Sequence, residues 1–217
     1  MNPPVPSPQG LPRGIRFAAI LCLMLSGLTG FSALRETLEL GHLSELRNEA
    51  SNMANFSKER DLRIVARISE AQFAALEPMR ESRSLVLGAL SVACALAFVT
   101  AGRLLRPGGL PLERMRRLLA GAAITAALLR TIDGAQWAVV ARRMAPAMME
   151  LLHTVPDLEA QALADMRAGL PGFAAALTMV MTALVAGTFA GLGQYFRSEG
   201  VRQVISAQDS EFAEEED

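Results

Sequence analysis

Four long apolar runs, separated by two unlike kinds of polar stretch, organise the 217-residue chain. The first, Ile15 to Leu34, carries no charge past Arg16, and the second, Ser84 to Gly102, is uncharged throughout. The third, Leu118 to Ala141, is interrupted by Arg130, Asp133 and Gln136, while the fourth, Gly172 to Tyr195, is again free of charge. A helix of about 20 residues is ~30 Å long, the thickness of the hydrocarbon core of a bilayer. The pattern therefore predicts transmembrane helices over 15–34, 84–102, 118–141 and 172–195. The first run also competes as a cleaved signal peptide, with Arg13 and Arg16 at its N-terminal end. Its cleavage sites fit less well: a cut after Ala33 places Phe31 where a small residue is wanted, and a cut after Ser32 lacks the usual alanine pair.

The polar stretches fall into two classes. Residues 103–117 hold five arginines (103, 106, 114, 116 and 117) against Glu113 alone. Residues 35–83 hold eight basic and nine acidic residues, and residues 142–171 three basic and four acidic. A short basic loop belongs on the cytoplasmic side. The balanced stretches then lie outside, and both termini lie in the cytoplasm. The outer stretches show helical periodicity, with Leu40, Leu43 and Leu46, then Ile64 and Ile68, then Phe73 and Leu76. Gly41 and the polar stretch Asn48 to Ser57 interrupt this periodicity. It predicts a helical hairpin or bent helix pair over 35–83. In 142–171 it predicts extensions of the membrane helices on both sides of the break at His153 to Pro156, with Pro156 suited to a helix start. The expected fold is an all-α membrane protein, a four-transmembrane-helix bundle with a small extracytoplasmic helical cap. Residues 1–14, rich in proline, read as a disordered cytoplasmic tail, and 197–217, ending SEFAEEED, as an acidic solvated one.

Composition sharpens this in a few places. Half the residues are hydrophobic but only 5% are aromatic, and the formal net charge is -1, which gives no reason to expect nucleic acid as a partner. Of 21 basic residues, all but Lys58 are arginine. With the abundant alanine and glycine, this suggests a GC-rich bacterial genome and hence a bacterial inner membrane. Cys22 and Cys94 both fall inside apolar runs and read as small buried hydrophobes. Pro8-Gln-Gly-Leu-Pro12 and Pro107-Gly-Gly-Leu-Pro111, 99 residues apart, each lead into arginines and an apolar run. That is a faint trace of an internal duplication about an axis normal to the membrane.

The third apolar run carries the candidate chemistry. If its helix starts at Leu118, Arg130 lies ~18 Å in, past the bilayer midplane. Asp133 follows at i+3 on the same face, and Trp137 continues that face. Gln136 adds a third polar side chain. Intramembrane charge costs several kcal/mol, so these residues are expected to pair, to line a polar path, or to meet a charged partner helix. The fourth run offers a small-residue face, Ala183, Gly187 and Gly191, suited to an intimate helix contact within the bundle or between copies. Similar steps occur at Ala89, Ala93, Ala97 and Ala101, and at Ser26, Gly30 and Ala33.

The only histidines, His42 and His153, lie in the outer stretches, so a bis-histidine haem within the bundle is excluded and no metal-ligand spacing is present. No P-loop, metalloprotease or nucleophile-elbow motif occurs, and no cofactor is expected. The sequence thus favours a non-enzymatic membrane component that binds or assembles through helix contacts and an outer cap. Its partners would be the bilayer and another membrane protein or a second copy. The alternatives are a small transporter or channel with Arg130 and Asp133 on the solute path, and a membrane sensor with output through a partner.

Overall fold

The computed structural model describes residues 11–56, 60–106, 111–152 and 160–215. They form seven α-helices: α1 (Arg13–Gly41), α2 (Leu43–Phe56), α3 (Arg60–Leu76), α4 (Arg80–Leu105), α5 (Leu112–Leu152), α6 (Ala160–Arg197) and α7 (Glu199–Glu215), with a 3₁₀ turn, Glu77–Met79, before α4. No strand occurs among the described residues. Four helical stretches are long and apolar enough to cross a membrane, and they contain the four apolar runs. The proline-glycine repeat, His153 and Pro156 fall wholly or partly outside the described residues.

The membrane helices pack in chain order, α1 on α4, α4 on α5 and α5 on α6, while α1 touches α6 only lightly. Small residues set the close approaches. A side chain on Gly30 would meet Cys94 Cβ at 2.8 Å, so α1 and α4 approach backbone to side-chain base. Ser26 and Ala33 are buried on the same face of α1, and Ala93, Ala97 and Ala101 on the facing side of α4, whereas Ala89 points outward. A Cβ on Gly134 would run into the Thr182 side chain, and one on Gly193 would fall 2.6 Å from Ile124 Cγ1, which places α5 and α6 in similarly tight contact. Large apolar side chains such as Phe17, Phe31, Leu85, Leu128 and Leu184 face away from the bundle on every membrane helix, as a lipid-facing surface requires.

The helices outrun their apolar blocks. α1 continues seven residues past Leu34, through the charged segment Arg35 to Glu39, where Arg35 Nε donates to Glu39 at 2.8 Å across one turn. It stops at Gly41, whose carbonyl accepts a hydrogen bond from Arg80 at 3.0 Å. α2 and α3 then pack against each other as a hairpin. α2 runs on through Asn48 and its polar neighbours, because the segment still offers Leu43 and Ala50 to a buried face. Arg47 and Glu77 pair at 2.5 Å, and Arg143 of α5 donates to the Ala75 carbonyl at 3.3 Å, so the hairpin is tied to α5. α5 includes Pro146 without ending there, and α5 and α6 supply helical extensions into 142–171.

The C-terminal segment departs from the expected solvated tail. It forms α7, because Val201 and Ile205, one turn apart, are buried against the bundle and because Asp209 finds a structural partner. The Asp209 carboxylate accepts from the backbone N–H groups of Leu112 and Glu113 at 2.8 and 2.9 Å, capping α5 from nearly a hundred residues away. A carboxylate at that position satisfies orphan donors and favours the positive end of the helix dipole.

Candidate functional site

Three helices meet at one level to gather four charged side chains. Asp133 and Arg130 come from the middle of α5, Glu36 from the last turns of α1, and Arg83 from the first turn of α4. Arg83 and Asp133 are fully buried, while Glu36 and Arg130 are partly exposed, at 23% and 27%. Arg83 is the centre of the group. Its Nε donates to Glu36 Oε1 at 2.7 Å, and its Nη2 lies 2.6 Å from the same oxygen. Nη2 also lies 2.9 Å from Asp133 Oδ1, an ion pair by distance whose angle is not that of a hydrogen bond. Asp133 Oδ2 accepts from Arg130 Nη1, one helical turn back. The guanidinium of Arg83 lies 4.6 Å from the centroid of the Trp137 ring, so a π face covers what the acids leave free.

The charges of this cluster sum to zero, and each acid faces at least one arginine. A lone charge buried at this depth would be strongly unfavourable; a paired, neutral group is tolerated. Some polar atoms still lack hydrogen-bond partners: Arg83 Nη1, Arg130 Nε and Gln136 Oε1 are buried without one. Gln136, half-buried, stands next to the cluster in sequence, but its Oε1 accepts no hydrogen bond among the described residues. The cluster joins α1, α4 and α5 and leaves α6 out; at Gly134, the neighbouring residue, α6 contributes only the close contact of Thr182.

A cavity of about 210 Å³ opens beside the cluster, lined among others by Glu36, Glu39, Phe73, Leu76 and Trp137. Its walls come from α1, α2, α3 and α5, so the hairpin forms one side of it. Glu36 and Trp137 belong to both structures: they line the cavity and they contact Arg83. The walls alternate acid and apolar surface, with Arg35 neutralising Glu39 at the rim.

The sequence placed Arg130 and Asp133 on one face, and the structure brings them together. It missed Glu36 and Arg83, which lie just beyond the uncharged blocks. A signal was present. Glu36 stands between Ala33 and Leu40 on one buried stripe of α1, and Arg83 stands one turn before buried Leu87 on α4. A charge that continues a buried stripe is a charge facing protein. The other expected site, the face Ala183, Gly187 and Gly191, lies exposed on α6, and a Cβ at either glycine would meet nothing. Within the chain α6 uses the adjoining stripe instead, Thr182, Ala186, Phe189, Gly193 and Phe196, because phenylalanines between small residues interlock with α5. His42 lies beside Glu45 at 3.3 Å in the open, and no group of three metal-ligating side chains gathers among the described residues.

Comparisons with known protein families, with curated proteins and with solved structures find no match for this chain.

Proposed function

We propose that this chain is a multi-pass protein of a bacterial inner membrane, with both termini in the cytoplasm, and that it works as a non-enzymatic binding and assembly component. The observation that carries the reading is the double membership of Glu36, at once a wall of the cavity beneath the α2–α3 hairpin and a partner of the buried Arg83. A ligand or partner segment engaging the hairpin and cavity bears directly on a polar junction that joins α1, α4 and α5. The basic stretch 103–117, of the kind that stays on the cytoplasmic side, supports an outer position for the hairpin. The closed, neutral pairing of the cluster supports a structural and coupling role over a chemical one.

The test uses the full chain in its native membrane, with a photo-crosslinking residue in place of Phe73 on the cavity wall. One stoichiometric adduct is expected, and it should disappear when Gln72→Arg is added to fill the cavity mouth. Diffuse labelling that Gln72→Arg leaves unchanged refutes the reading. The second reading, a small transporter or channel, draws on the partial exposure of Arg130 and its unpartnered Nε. Solute flux in liposomes that Arg130→Ala abolishes, in a chain that still folds, decides for it.

A further inference from the structure

At the opposite end of the bundle the chain presents a second polar feature of different character. A groove of about 320 Å³ is lined by Arg116, Arg117, Arg197 and Arg202, with Glu199 as its one acid and Ala120, Gly121 and Ile124 as its floor. Its walls come from the start of α5, the end of α6 and the first turn of α7. Two of its arginines border the apolar spans closely: Arg117 precedes Leu118, and Arg197 closes the last span. The groove therefore lies where apolar helix surface gives way to polar surface.

Its charge is only partly answered from within the chain. Arg116 is nearly buried; it makes a two-point contact with Glu113 at 2.7 Å and donates to the Phe196 carbonyl at the end of α6. Arg117 shares the same Glu113 at 2.8 Å. Arg202 meets Glu199 at 3.3 Å, an exposed pair that water largely screens. Arg197 has no ion-pair partner among the described residues. Four guanidinium groups thus face two carboxylates. Arg116 acts as the fixed post, Arg197 is uncommitted, and Arg117 and Arg202, themselves exposed, can exchange their carboxylate partners for an anion. Guanidinium groups bind phosphate through paired N–H donors, and basic pockets between helices at the membrane edge suit anionic headgroups. The floor matches the other half of such a molecule: a Cβ at Gly121 would meet nothing, so open space lies over apolar residues of α5 beside the arginines.

We propose that this groove binds the phosphate-bearing headgroup of an anionic glycerophospholipid, with Arg117, Arg197 and Arg202 on the phosphate and an acyl chain along Ala120, Gly121 and Ile124. Charge complementarity selects an anionic lipid over a zwitterionic one, and the apolar floor selects a lipid over a free anion. α7 completes the site, since Arg202 reaches the groove only while Val201 and Ile205 hold that helix against the bundle.

The test measures the association of spin-labelled phosphatidylglycerol and of spin-labelled phosphatidylcholine with the full chain in phosphatidylcholine vesicles. The native chain should prefer phosphatidylglycerol by roughly five- to tenfold, the order expected of one uncommitted arginine near an anionic surface. The preference should fall to about one in the combined variant Arg117→Gln, Arg197→Gln, Arg202→Gln, and should weaken as salt is raised in the native chain. Because these three side chains are exposed, the variant should keep its fold; Arg202→Gln alone and the salt titration give the answer without it. An unchanged preference in the variant overturns the proposal. So does an equal loss in Arg142→Gln at the other end, which would show bulk charge at work. Full displacement of the lipid by inorganic phosphate also overturns it, leaving a free-anion site.

Discussion

Around Asp133, four charged side chains from three helices cancel about a fully buried Arg83–Asp133 pair, whereas around Arg116 a single buried arginine is ringed by exposed ones that do not cancel. Both sites use guanidinium and carboxylate groups, and both tie distant parts of the chain together. They differ in what surrounds the charges. Where water and headgroups are excluded, each charge must be matched by protein, and the cluster is closed. At the membrane edge solvent screens the excess, so the chain can leave arginines uncommitted. Charge excess is thus a property of position before it is a property of function: a net-zero cluster locks helices, and an unbalanced one is open to a ligand.

The largest effect should follow from breaking the closed cluster. Arg83→Leu strands Glu36, leaves Asp133 with Arg130 alone, and should cost about 3–5 kcal/mol, the usual penalty for removing one partner of a buried ionic group. Replacing all four members with leucine should recover most of that loss. Denaturant titration of the chain in mixed micelles checks both, and a mild Arg83→Leu phenotype would mean that water reaches the cluster.

A smaller effect should come from the packing beside it. Gly134→Ala puts a methyl group into Thr182 and should cost roughly 1–3 kcal/mol, the range for overpacked contacts. Gly191→Ala on the exposed face of α6 should leave monomer stability unchanged. If the two substitutions instead destabilise equally in the same titration, the exposed face is an interface between copies.

The least costly change lies at the basic end. Asp209→Ala removes the cap of α5 and should cost about 1 kcal/mol, with Asp209→Asn milder. Hydrogen exchange at Leu112 and Glu113 should rise while exchange around Asp133 stays unchanged. Faster exchange at both ends would mean that the two sites are coupled.

The four membrane helices were legible because burial in lipid needs long uncharged runs, and such runs leave an unmistakable trace. The pairing of Arg130 with Asp133 was legible because it is local, one turn along one helix. Glu36 and Arg83 were hidden by the same reasoning that found the helices: ending each span at its first charge assigns these residues to loops, although α1 and α4 continue through them. Asp209 was hidden for a different reason. Its partners are backbone groups, which have no sequence signature, and only three-dimensional placement shows that an acidic tail can cap a helix. The choice between neighbouring stripes of α6 was not legible from small residues alone, since Phe189 and Phe196 decide which stripe interlocks.

The order in which the ribosome releases these residues gives the ion cluster one more meaning. Glu36 is synthesised before Arg83, so when α4 enters the bilayer its arginine already has an acid waiting on α1. Arg130 and Asp133 then arrive within three residues of each other, carrying their own neutrality into the membrane. At no stage of synthesis must Arg83 or Asp133 wait for a counter-charge that has not yet been made. The Asp209 cap has the reverse history: α5 is finished long before its N-terminal partner exists, and that end of the helix stays uncapped until α7 has been made.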